Sequence, residues 1–274
     1  MAENQEMKIR IAWMYPDTLY LHGERGNILA LVRYARHYGF EVELERVELG
    51  RKGFDPMKYD ILFFGPGEIS SFETIMNDIG NYSRTLAEFI SAGKTMIVTG
   101  TTVAMFGERI TRSLAEEAGA AEADEGAILI AGEREIMAGL CMLPLNADER
   151  DVVFGDDEWI VAEYNGKQME LIGNQIIMVD IDFGECTGYR RFGSLKYGRG
   201  NNGTDGAEGI VYSNSIFTNM LGPVLITNPW LTAEILRKVA EVKGYTITAE
   251  DPSFLPERES FRLKKEFIEE KMGN

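Results

Sequence analysis

The sequence predicts an α/β fold, a mostly parallel sheet flanked by helices and carrying an antiparallel extension. Short apolar runs at Tyr59 to Phe64 and Met96 to Val98 have the make-up of strands buried on both faces. They alternate with stretches of helical periodicity, the order that builds a parallel sheet with helices on either side. After Gly126 the pattern changes to alternating strands separated by turn residues, the mark of an antiparallel meander.

The elements follow in order. Lys8 to Met14 reads as the first strand, Arg25 to Tyr38 as a helix with Ile28, Leu31, Val32 and Ala35 on one face, and Glu41 to Val47 as an alternating strand. Tyr59 to Phe64 is the next strand, a helical stretch runs from about Phe72 to Ala92, and Thr95 to Val98 is a further buried strand. That strand turns sharply at Gly100 into a segment where Val103, Phe106 and Ile110 repeat at helical spacing. Such an elbow lifts its turn residue to the top of the sheet, beside a helix N-terminus that favours negative charge. Gly100 offers no reactive atom there, and its neighbours are Thr99, Thr101 and Thr102. The same segment also fits an ordinary strand-to-helix connection. A threonine hydroxyl without an adjacent base is a poor nucleophile, so Thr101 or Thr102 is expected to cap the helix.

Turns are expected at Ala131-Gly132-Glu133, Gly155-Asp156-Asp157 and Asn165-Gly166. The last joins Trp159 to Tyr164 with Gln168 to Ile172, a strong hairpin signal. Pro229 to Val242 reads as an amphipathic helix. Beyond it Pro252 and Pro256 precede a charged helix, Glu257 to Lys271, with a narrow stripe of Phe261, Lys264, Lys265 and Ile268. This stripe either packs on the domain or is held for a partner. The expected division is one large domain over residues 1–247 and a tail with a charged helix over 248–274.

A chain of 274 residues can bury roughly three quarters of its unfolded surface as one domain. Its 28 basic and 44 acidic residues give a net charge of -16, which argues against nucleic acid or an anionic membrane as partner. Two cysteines give no disulfide framework, the polar start has no apolar core, and no apolar run approaches the roughly 20 residues of a membrane span. A cytoplasmic protein is expected, without metal or other cofactor.

Several motifs stand in a fixed order. Ile11-Ala12-Trp13-Met14-Tyr15-Pro16-Asp17 precedes Leu21-His22-Gly23-Glu24-Arg25-Gly26-Asn27-Ile28-Leu29-Ala30-Leu31. Asp60-Ile61-Leu62-Phe63-Phe64-Gly65-Pro66-Gly67, the elbow and Gly139-Leu140 follow. Then come Gly198-Arg199-Gly200-Asn201-Asn202-Gly203-Thr204-Asp205-Gly206-Ala207-Glu208-Gly209, Asn219-Met220-Leu221-Gly222-Pro223-Val224-Leu225 and Asn228-Pro229. Over roughly residues 8 to 245 this succession resembles the glutaminase subunit of lipid II isoglutaminyl synthase, in the cobyric-acid-synthase-like branch of class I glutamine amidotransferases. The resemblance implies a class I glutamine amidotransferase-like, flavodoxin-like fold.

It also implies a nucleophilic cysteine in an elbow of the form Cys-Gly-Gly-Tyr-Gln-Leu-Leu-Gly, which, laid on Gly107, falls on Gly100. The histidine base of its Tyr-Leu-His-Gly-Pro pattern falls on Leu221. Glutamine hydrolysis needs a thiolate to attack the amide carbon and an imidazole to protonate the departing ammonia, and glycine and leucine do neither. The family's Gly-Gly-Gly turn, a source of one oxyanion-binding N–H, reads Gly65-Pro66-Gly67. Proline has no N–H, so either the donor is lost or Pro66 only stiffens the turn and Gly67 donates. The family's polar residues after this turn are replaced by Glu68-Ile69-Ser70-Ser71-Phe72, and the segment around Cys186 keeps only Phe183 and Gly188 of the related pattern.

The expectation is therefore a catalytically degenerate amidotransferase-like protein, a binding or regulatory subunit related to peptidoglycan (lipid II) amidation. Its vestigial pocket would comprise Gly65, Pro66, Gly67, Thr101, Thr102, Cys186, Asn201 and Asn202, with Gly100, Leu221 and Pro66 facing one shallow depression. The partner implied is a Mur-ligase-like subunit, or a second copy of the chain. The Gly198 to Gly209 loop is either a contact surface or a plain surface turn. The alternative is an active glutaminase that supplies ammonia to such a partner through a displaced nucleophile. With only His22 and His37, and only Cys141 and Cys186, a displaced dyad is hard to build.

Overall fold

In the computed structural model, which describes residues 7–113, 134–184 and 188–273, eleven strands form one sheet. Strand β1 (Lys8–Met14) lies between β2 (Glu41–Val47) and β3 (Ile61–Phe64), followed by β4 (Thr95–Thr99) and, from far along the chain, β11 (Ser215–Thr218). These five strands run parallel. Side chains of a strand alternate between faces, and both faces here are apolar. Ile9, Ile11, Ile61, Phe63 and Ile97 enter one core with helices α1 (Arg25–His37) and α5 (Pro229–Val242). Ala12, Met14, Leu62, Phe64, Met96 and Val98 enter the other with α2 (Phe72–Ile79) and α3 (Ser83–Ser91). The expected α/β architecture is thus present, and the expected boundaries of β1, β2 and α5 coincide with those observed.

Beyond β11 the sheet becomes antiparallel through β10 (Ala207–Tyr212), β9 (Tyr189–Tyr197) and β7 (Leu145–Tyr164). Strand β7 also pairs with β8 (Lys167–Phe183) and, at its start, with β5 (Arg109–Ser113), whose other neighbour is β6 (Arg134–Ala138). Asn165 (φ 51°) and Gly166 (φ 71°) make the β7–β8 turn with the two left-handed residues that such hairpins require.

Two expectations are corrected. The turn foreseen at Gly155-Asp156-Asp157 is the interior of the 20-residue β7, where these residues pair with Ile176, Gln175 and Asn174. The two acids are accommodated in a strand because Lys271 reaches Asp156 at 2.7 Å and Asp157 at 3.1 Å. The helix foreseen after Gly100 is a seven-residue 3-10 turn, Gly100–Phe106. Val103 and Phe106, three apart, share the face of that turn and are buried, and Phe106 packs edge-on against Phe64 and Phe217, whereas Ile110 already belongs to β5. The chain cannot continue as a helix because Gly107 is pressed against Leu145, where a Cβ would lie 2.6 Å from the Leu145 carbonyl oxygen. The turn foreseen at Ala131-Gly132-Glu133 lies outside the described residues.

Of the two roles open to the C-terminal stripe, packing on the domain is the one observed. Helix α6 (Leu255–Gly273) docks on the β7–β8 ribbon: Ile268 is fully buried with Trp159 and Ile172, Phe261 packs beside them, and Lys265 lies over the Trp159 ring. The apolar stripe is used within the chain rather than held for a partner. Deleting a buried Ile to Ala costs about 2–5 kcal/mol, so Ile268→Ala should lower the denaturant-unfolding free energy by about 2–4 kcal/mol. An unchanged midpoint would contradict this docking.

Candidate functional site

In open α/β sheets ligands bind beyond the carboxyl ends of the parallel strands, where the strand order reverses. Here the reversal lies at β1, and the segments that leave β1, β3, β4 and β11 converge. The turn after β3 is pinned by all three of its carbonyls. Gly65 O accepts from Thr102 Oγ1 (2.7 Å), Gly67 O from Thr101 Oγ1 (2.5 Å), and Pro66 O from the Leu21 N–H (3.2 Å). Both glycines are required, since a Cβ at residue 65 would meet the Leu19 carbonyl oxygen at 2.7 Å and one at residue 67 the Leu19 side chain at 2.4 Å. Thr101 and Thr102 therefore do not cap a helix, as the sequence suggested. Their hydroxyls donate to the turn, and no carboxylate or imidazole is hydrogen-bonded to either.

Gly100 sits at the end of β4 with φ +65°, a conformation costly for any residue with a side chain. A Cβ there would lie 2.7 Å from Pro66 Cβ and 2.9 Å from Leu221 Cδ2. The three positions that the sequence set together are in contact, but instead of facing a shallow depression they close it. Gly100 and Pro66 are buried, and Leu221 is 1% exposed. Leu221 is held by a two-way bridge with Asn174 of β8, its N–H donating to Asn174 O (2.8 Å) and its carbonyl accepting from Asn174 N (3.0 Å).

Glu24 was not singled out from sequence. It precedes α1, is 1% exposed, and lies between the residues that flank Gly100 and Leu221. Its Oε1 accepts from the Gly222 N–H (3.1 Å), and its Oε2 accepts from the Thr99 hydroxyl (3.3 Å) and from Asn27 Nδ2. Asn27 Oδ1 accepts in turn from the Leu225 N–H (2.8 Å), and Gly26 leaves room for Pro223, which a Cβ would meet at 2.6 Å. Burial pushes the Glu24 carboxyl up to about 7, against the pull of its three donors. The Thr99 hydroxyl has a potential base in Glu24, but both are sealed from solvent. An acid just before a helix reads in sequence as a solvated charge at its N-terminus, so only the structure distinguishes Glu24.

Asn201 and Asn202 line another cavity, of about 580 Å³, with Asp182, Tyr189, Arg190 and Asp205; its wall includes none of Gly65, Pro66, Gly67, Gly100, Thr101, Thr102 and Leu221. Both asparagines organise their own loop, Asn201 Oδ1 accepting from the Gly209 N–H (2.7 Å) and Asn202 Oδ1 from the Thr204 N–H (2.9 Å). Cys186 lies outside the described residues. Cys141 is exposed beyond the far end of the 3-10 turn, its N–H donating to Gly107 O. His22 is exposed in a left-handed conformation (φ 57°), and His37 lies at the end of α1 against the Glu250 carbonyl. Among the described residues no three His, Cys, Asp or Glu side chains are grouped to hold a metal, and no helix is long and apolar enough to cross a membrane.

A glycine elbow, a glycine-flanked turn after β3 and a Leu-Gly-Pro segment thus meet beyond the strand ends, with glycine at position 100 and leucine at position 221. Over 246 residues the chain is 23% identical to the lipid II isoglutaminyl synthase (glutamine-hydrolyzing) subunit GatD of Streptococcus pneumoniae, a match covering 88% of this chain and 84% of that protein. No family model matches. Among solved structures, a glutamine amidotransferase aligns at 14% identity and TM-score 0.45 over 85% of this chain and 98% of its own. A second glutamine amidotransferase, from Thermotoga maritima, aligns at 9% identity and TM-score 0.45 over 87% and 86%.

Two measurements test this geometry. Gly100→Ala combines left-handed strain with overpacking and should cost about 2–4 kcal/mol in chemical denaturation. Adding Leu221→Ala should recover at least about 1 kcal/mol relative to the sum of the single changes, since the two groups compete for one space; strict additivity would separate them. For Glu24 the native carboxyl titrates near 7 and the unfolded one near 4.5. The folded state thus holds an extra proton between these values, and stability from this residue is greatest below the lower value and falls as pH rises through the upper. The share of the decline due to this residue should approach about 3 kcal/mol, and Glu24→Gln should remove that share.

Proposed function

We propose that this chain is a catalytically degenerate glutamine amidotransferase-like protein that acts as a binding or regulatory subunit in peptidoglycan (lipid II) amidation. The observation that carries this reading is the closure of position 100 by Pro66 and Leu221: the place where a nucleophile would stand has neither a reactive atom nor space for one. The other chemistry is diverted as well. Thr101 and Thr102 are engaged with the Gly65-Pro66-Gly67 turn, and Pro66 has no N–H to offer an oxyanion. Fold alone does not decide function. The subunit role and the link to lipid II come from the similarity to the pneumococcal protein, which is named as a subunit of a synthase.

In this reading the amidotransferase-like domain spans residues 1–247, the segment 248–274 is its tail, and the protein is cytoplasmic. Its partner is a Mur-ligase-like protein or a second copy of the chain, through an interface of at least about 1,000 Å². With the α6 stripe used internally, the Gly198 to Gly209 loop is the preferred patch. No observation favours a displaced nucleophile.

Loss of nucleophile and base together costs on the order of a million-fold in rate. The purified protein, alone and with any protein that co-purifies from native cells, should release no ammonia from glutamine above background and resist glutamine-analogue electrophiles. Labelling of Cys141 or Cys186 that glutamine prevents would establish a relocated active centre and end this reading.

A further inference from the structure

A second feature of the molecule lies beneath the segment that seats Leu221. Glu158 of β7 and Glu208 of β10 are both fully buried, and their carboxyls meet directly. Glu208 Oε1 is richly served, accepting from Thr218 Oγ1 (2.5 Å), the Asn219 N–H (2.6 Å) and the Met220 N–H (3.3 Å). Glu158 Oε1 has one donor, Gln175 Nε2 (2.7 Å), which is itself oriented by the Arg199 N–H donating to Gln175 Oε1 (2.7 Å). The second oxygen of each carboxyl receives no donor from any other group. Two ionised carboxylates in this position would be buried, uncompensated like charges, which is prohibitive.

We propose that Glu158 and Glu208 form a carboxylic acid–carboxylate pair, with the proton on Glu158, and that this proton holds in place the Thr218 to Gly222 segment that seats Leu221 against Gly100. The assignment follows from the donors: three N–H or O–H groups converge on Glu208 and stabilise it as the anion, leaving Glu158 as the member able to donate. Burial raises the titration of both groups. Glu208 raises Glu158 further, whereas the hydrogen bonds of Thr218, Asn219, Met220 and Glu158 draw Glu208 back down. No lysine, arginine or histidine among the described residues donates to either. Asp157, the neighbour of Glu158, accepts from Asn174 (3.3 Å) and meets Lys271 (3.1 Å) and Lys264 (3.7 Å) of α6. Arg199 pairs with Asp180, and Glu24 reaches the segment only at Gly222. The pair is thus isolated from other charge, and its proton comes from solvent.

Its contribution to stability is greatest below the unfolded glutamate value and is lost as pH rises, because only the native state retains the proton. The test compares Glu158→Gln with Glu208→Gln, both in a Glu24→Gln background so that Glu24 does not contribute. Glu158→Gln supplies a permanent N–H donor in place of the acid. It should unfold at pH 8 at or above the temperature of its parent and lose the alkaline decline. Glu208→Gln removes the anion on which three donors converge and should unfold roughly 5 °C or more lower across the pH range. The infrared carbonyl band of a buried protonated carboxyl should be present at neutral pH in the Glu24→Gln protein and absent after Glu158→Gln. Absence of that band in the parent, equal damage from the two substitutions, or tolerance of Glu208→Gln alone would overturn the proposal.

Discussion

The buried carboxyl of Glu24 ties together segments that are far apart in sequence, and the geometry beyond the parallel strands depends on it. Through Thr99 it reaches the end of β4, through Gly222 the segment after β11, and through Asn27 the turn that begins α4 (Val224–Thr227). A carboxyl at 1% exposure is costly to bury unless its lone pairs are used, and here they accept from one backbone N–H, one hydroxyl and one side-chain amide. The Glu-Arg-Gly-Asn run at residues 24 to 27 is therefore a structural fitting. Glu24 and Asn27 supply the polar contacts, and Gly26 admits Pro223.

The segment that carries Leu221 is held from both sides. Glu208 takes the N–H groups of Asn219 and Met220 on one side, Glu24 takes that of Gly222 on the other, and Asn174 bridges Leu221 itself. A surface loop rarely receives such a density of buried polar contacts. The arrangement has the rigidity expected of a catalytic scaffold, in which reacting groups must be fixed within fractions of an ångström. Here that rigidity serves an apolar contact.

The sheet was legible in sequence because strands buried on both faces, such as Ile61–Phe64 and Thr95–Thr99, have few alternatives, and because Asn165-Gly166 admits essentially one turn. The 3-10 turn after Gly100 was not legible. Val103, Phe106 and Ile110 satisfy helical spacing, and the close approach of Leu145 to Gly107 that stops the helix comes from a strand almost forty residues on. Gly155, Asp156 and Asp157 read as a turn for a similar reason, since the partner of both aspartates, Lys271, lies on the last helix, more than a hundred residues on. At the site, motif order placed Gly100, Pro66 and Leu221 together, and they are in contact. Glu24 and the closure of the pocket were not foreseen, because burial is a property of the assembled strands.

Gly100, Pro66 and Leu221 are best understood as one unit. Without a side chain at residue 100 and with small or polar groups opposite, the strand ends would enclose a void, and each methyl-sized void in a core costs about 1 kcal/mol. Pro66 and Leu221 occupy that space, approaching to where a Cβ would have to be. The packing makes each of the three dependent on the others: a residue with a side chain at position 100 requires the other two to withdraw, and withdrawal of either leaves glycine facing a cavity. A reactive side chain at this elbow would therefore need more than one substitution, because position 100 has neither the atom nor the space and Leu221 has no proton to transfer. The buried carboxyls of Glu24 and Glu208 hold the strand ends around this contact from two sides, so the packing of the three residues and the polar anchoring of their segments reinforce each other.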